Sequence, residues 1–192
     1  MEKTTGIILK TLFPKKMKMI LLDEQFGKIE GVPGHDNFSP GSILSYYTQP
    51  KGSLYFLSTI SLLDMPLSLA KKDILFLHHV LEICYFCAPF GKNMPEVFNL
   101  IQELYQLDPL YNQRPFKIAF LFKLLILLGM HPDKPWLQQE FYYLLARESI
   151  DTIINKSIHL DTKESLQEWV YSCISIHPLI HIFKTLHFLE TG

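Results

Sequence analysis

Hydrophobic and polar positions change their period once along the chain, near residue 66. Before it, apolar residues come in short bursts: Gly6–Lys10, Met17–Leu22, Lys28–Val32, Ser42–Thr48 and Ser53–Leu62. Bursts of this length, rich in β-branched and aromatic residues and separated by turn residues, predict strands. Asp23-Glu24-Gln25-Phe26-Gly27 reads as a hairpin turn with Gly27 placed for positive φ, and Gln49-Pro50-Lys51-Gly52 as the joint between the last two strands. Five strands in about 62 residues fit a small closed barrel of the OB type.

From Leu67 onward the spacing becomes helical. Ile74, Leu77, His78, Leu81 and Cys84 or Tyr85 recur at i, i+3, i+4 and predict one inward face, with Pro89 and Gly91 ending the helix. Pro95–Leu107 and Arg114–Leu128 are further helices. The latter is apolar on nearly every side, which predicts the centre of a helical core, and Gly129 is placed to cap it. Pro135–Asn155 reads as a fourth segment. A fifth, capped by Thr162-Lys163-Glu164-Ser165, turns Leu166, Trp169, Val170 and Cys173 inward, and Pro178–Leu189 is a sixth. The expected fold is α+β: an all-β OB-like barrel over 1–66, then an all-α domain of five or six helices over 67–192.

Composition narrows the function. Hydrophobic residues make up 48% of 192, enough for a packed core, and the net charge of −1 implies no strongly electrostatic partner for the whole chain. Residues 1–70 carry seven Lys against six acids. Three cysteines and an N-terminus without an apolar h-region lead us to expect a cytoplasmic protein without a secretory signal. The most apolar run, Ile118–Met130, is 13 residues with Lys123 inside, against the roughly 20 that a membrane span requires.

No nucleophile elbow, P-loop, zincin or dinucleotide motif is present, so we expect no enzyme and no cofactor. Cys84-x-x-Cys87 lacks the second close pair that structural zinc requires, and His78-His79 point about 100° apart on a helix, so no metal is expected. The remaining chemistry is cationic and aromatic. Lys10, Lys15, Lys16, Lys18 and Lys28 lie in or between the first three strands, with Lys51 after the fourth. Tyr46, Tyr47, Tyr55 and Phe56 on the later strands offer rings for bases to stack on. Lysines along a groove with aromatic faces are what single-stranded nucleic acid requires; Lys10, Lys15, Lys16, Lys18, Lys28, Lys51, Tyr46 and Tyr55 form the expected set.

Four segments carry a resemblance. "GIILKT", "ILLDEQFGKIEGV", "GSLYFLSTISLLD" and "FKLLILLGMHPD" resemble, in order and spacing, segments of the bacterial RecO family of recombination mediators, across most of Gly6–Asp133. The resemblance implies a non-enzymatic DNA-repair and recombination accessory with an N-terminal OB fold. It further implies that the protein binds single-stranded DNA, anneals strands, contacts single-strand-binding protein, and works with RecR to load RecA. The chain departs from the family pattern in two places: "GVPGHDNFSPGS" has no Lys or Arg where the family is basic, and no cysteine cluster follows Gly129. It therefore resembles a reduced or divergent member. The alternative is an OB-fold module that has lost DNA binding and keeps protein contacts alone.

Overall fold

The computed structural model describes residues 2–12, 18–33, 38–106, 114–130, 146–150, 152–154, 163–178 and 180–183. The chain divides into two compact units, Met1–Gln106 and Leu107–Gly192.

The first unit opens with five strands: β1 (Glu2–Leu12), β2 (Lys18–Asp23), β3 (Gly27–Val32), β4 (Ile43–Lys51) and β5 (Leu54–Asp64). They close into a barrel in the order β1-β2-β3-β5-β4. All pairings are antiparallel except β3 with β5, which is parallel at Gly31↔Tyr55 and Val32↔Phe56. The expected OB-like barrel is therefore present, with each strand within a few residues of its burst. Closure depends on β1, whose first half pairs with β4 and second half with β2. A register shift at Leu9 bends it between the two partners.

Ile8, Met19, Leu21, Ile29, Leu44, Tyr46 and Leu57 fill the barrel. Alternation then turns Ile7, Ile20, Leu22, Lys28 and Ile43 outward, yet these too are buried. Part of the barrel is thus covered on both sides, and α1 (Leu67–Cys87) packs on β1. α2 (Pro95–Gln106) starts at its proline, as N1 positions favour, and buries Val97, Phe98, Leu100, Ile101 and Leu104. Tyr105 donates its hydroxyl to the Gly41 carbonyl at 2.8 Å, tying α2 to the loop before β4.

α1 meets its expected face at Leu77, Leu81 and Cys84 and departs from it at Ile74 and His78. Its buried face is Leu69, Phe76, Leu77, His79, Val80, Leu81, Ile83 and Cys84, while Ile74 and His78 are exposed. The helix is kinked at Asp73 (φ −153°, ψ 77°), where the side chain caps the second half by accepting the Phe76 N–H at 2.9 Å. The whole expected stripe lies after this break, and its misses are Ile74, in the first turn beyond it, and His78, whose neighbour His79 is buried instead.

The second unit contains α3 (Arg114–Leu127) and α4 (Lys163–Ser175). α3 buries Phe116, Ala119, Phe120, Leu121, Phe122, Leu124, Leu125 and Ile126, as a helix apolar all round must. At its end the Gly129 N–H reaches the Ile126 carbonyl and the Met130 N–H the Leu125 carbonyl, both at 2.9 Å. α4 turns Leu166, Trp169, Val170 and Cys173 inward as expected, and Trp169 meets Phe122 edge-on at 4.9 Å. Of Pro135–Asn155, only 146–150 and 152–154 are described, in part helical. Of Pro178–Leu189, the described residues hold only the 3₁₀ turn Ile180–Ile182. No helix among the described residues is long and apolar enough to cross a membrane.

Candidate nucleic-acid interface

The register decides which lysines share a face. Met19, Leu21 and Ile29 point inward, so Lys18, Ile20, Leu22, Lys28 and Glu30 point outward. Lys10, Ile20 and Glu30 form one row across β1, β2 and β3, while Leu22 and Lys28 are paired in a neighbouring one. Lys10, Lys18 and Lys28 therefore do project from one outer surface. Lys15 and Lys16 lie outside the described residues.

That surface is only partly free. Lys18 is ion-paired with Glu30. Lys28 is buried: its ammonium donates to the Tyr85 carbonyl at 2.9 Å and sits 4.4 Å from the Phe90 ring centroid. Burial lowers the Lys28 pKa, with nearby Cys87 and Cys84 acting in the opposite direction. The segment after α1 closes over this point. The Gly91 N–H donates to the Lys28 carbonyl at 3.0 Å. At Gly27 (φ +70°), a Cβ would fall 1.7 Å from the Lys92 carbonyl oxygen, so glycine is required for both its conformation and the close approach. Lys10 is exposed and lies 4.4 Å from the Tyr85 centroid, so Lys10 and Lys28 gather about one ring.

The aromatic positions divide by parity. Tyr46 is wholly buried (0%) in the barrel interior and donates its hydroxyl to Asp23 Oδ2 at 2.5 Å. Burial and Asp23 together raise its pKa well above the usual tyrosine value. Neither face of its ring is open to a base. Tyr55 packs against the interior cluster and leans on Phe26 at 5.5 Å, leaving it half-buried. The exposed rings are their neighbours, Tyr47 (37%) and Phe56 (42%), on the outer face of β4 and β5. Lys51 lies 5.4 Å from the Phe56 centroid, a cation–π arrangement. Lys3, absent from the expected set, is exposed and pairs in register with Tyr47. Strict alternation from Leu44 and Leu57 separates Tyr47 and Phe56, outward like Lys51, from Tyr46 and Tyr55, and the pairing of β1 with β4 adds Lys3.

Cys84 is buried and Cys87 partly so; burial raises both thiols, Cys87 to about 11, which keeps them protonated at neutral pH. Among the described residues no three His, Cys, Asp or Glu side chains are grouped as metal ligands would be. Compared with known proteins, the chain matches no family model and no curated sequence.

Proposed function

We propose that this chain is a RecO-like accessory of DNA recombination and repair whose barrel binds single-stranded DNA without catalysing a reaction. The observation that carries the reading is the barrel order β1-β2-β3-β5-β4, the topology of the OB fold, which binds oligonucleotides on the face of its second and third strands and on the loops after its first and fourth. The four motif segments, in their order along the chain, add to it. The mechanism is physical: lysines hold the phosphate backbone, exposed rings hold bases, and strands so displayed are available for annealing and recombinase loading. Contacts with single-strand-binding protein, RecR and RecA belong to the same proposal.

A second reading is favoured by one feature. Lys18 is ion-paired and Lys28 buried, so two lysines of the expected groove are already engaged. A barrel that has given up DNA and kept protein contacts fits that. Anisotropy of a labelled single strand titrated with the full chain at several salt concentrations separates the two. Three to five phosphate contacts give a slope of log K against log salt of about −2 to −3.5. No binding at low salt overturns the DNA reading.

A further inference from the structure

Where a strand would lie follows from comparing the two outer faces. The face of β1, β2 and β3 carries a carboxylate, Glu30, in the same row as Lys10, and its Lys28 is covered. The face of β1, β4 and β5 is different. Thr4 and Gly6 point inward, so Lys3 points outward and forms a row with Tyr47 and Ser58. The next row pairs Gln49 with Phe56, and Lys51 follows on the same side of β4. Neither of these rows includes a carboxylate, and both rings are exposed. Tyr47 and Phe56 are diagonal neighbours across two strands, about 7–8 Å apart by backbone geometry.

We propose that this face is the single-strand site: Tyr47 and Phe56 each stack one base, and Lys3 and Lys51 hold phosphates on either side of the two rings. The proposal rests on the reading of the barrel as a DNA binder and names the face that serves it. Two lysines on a face whose ring-bearing rows hold no carboxylate select a polyanion over a neutral oligosaccharide. Exposed aromatic rings select unpaired bases over a duplex, whose bases are already stacked. Lys51, now over Phe56, moves to a phosphate as a base takes its place on the ring. Beyond the lysine and the tyrosine hydroxyl, these rows offer only the short polar side chains of Gln49 and Ser58, so binding is tolerant of sequence.

The test uses the full chain and a labelled oligodeoxythymidylate. Replacing the rings together, Tyr47→Leu with Phe56→Leu, keeps apolar bulk and removes the stacking faces. Affinity then falls at least about tenfold. Replacing Lys3→Gln with Lys51→Gln flattens the salt slope by about 1.4, at 0.7 per contact. In a third variant, Phe56→Trp, tryptophan emission at position 56 is quenched at saturation, which decides the matter even if the leucine pair fails to fold. Oligonucleotide binding that survives the ring exchange unchanged, or that leaves the new tryptophan unquenched, overturns this placement while the barrel still binds DNA. Failure of the unaltered chain to bind at low salt overturns the placement and the DNA reading together.

Discussion

Gly6 lies directly against the hydroxyl end of Tyr46: a Cβ on Gly6 would fall 2.2 Å from Tyr46 Oη and about 3 Å from the ring. The close approach lets the hydroxyl reach Asp23, which also accepts from Thr4 Oγ1 at 3.1 Å and from the Gln25 and Phe26 N–H groups at 2.8 and 2.9 Å. One carboxylate thereby joins β1, β4 and the β2–β3 turn. Tyr46→Phe leaves a buried carboxylate short of one donor and costs about 1–3 kcal/mol by urea unfolding. Gly6→Ala is destabilising on its own. Since the hydroxyl is its nearest obstacle, part of its cost is relieved in the Tyr46→Phe background, with a coupling of at least about 0.5 kcal/mol. Strict additivity of the two changes would show that Gly6 and Tyr46 do not compete for the same space.

Glu30→Gln releases Lys18 from its ion pair. The pair is partly exposed, so stability changes by less than about 1 kcal/mol. If the β1–β3 face also contacts DNA, the freed ammonium steepens the salt slope by up to about 0.7. An unchanged slope beside an intact response to Lys3 and Lys51 assigns binding to the β1–β4–β5 face alone.

The strand bursts were legible because turn residues separate them and each is too short for a helix. Inward and outward positions were not legible at Ser42–Thr48. There Ile43 and Leu44 are both apolar because both are buried, one outside the barrel and one inside. With both sides covered, the alternation that would have set Tyr46 inward and Tyr47 outward is blurred. The burial of Lys28 was equally invisible, since it depends on Tyr85 and Phe90, some sixty residues away in the chain. The α3 core was legible because an all-round apolar helix allows no other placement, whereas in α1 the adjacent His78 and His79 divide between exposed and buried, which residue type alone does not decide.

Leu124→Ala tests that core. Leu124 is fully buried in α3, so truncation removes apolar contacts and leaves a cavity, at a cost of about 2–5 kcal/mol. A loss below about 1 kcal/mol in a denaturant melt would place it at a site that collapses freely or is open to water.

His79 gives the unfolding equilibrium a pH dependence with a definite sign. It is wholly buried in α1, and burial pulls its imidazole down to about 4, with Glu82 pulling weakly the other way. In the unfolded chain the same group titrates near 6.5. Between these values the unfolded chain takes up a proton that the folded one refuses, so stability is full above about pH 6.5 and is lost as pH falls toward 4. At about 1.36 kcal/mol per pH unit, the loss across the window reaches up to about 3 kcal/mol. Below the folded value both states are protonated and this contribution levels off. His79→Gln cannot titrate, so whatever it costs at pH 7, its urea midpoint falls less between pH 7 and 4.5 than that of the unaltered chain. Parallel declines of the two proteins would show that carboxylates elsewhere, and not His79, set the acid limit of the fold.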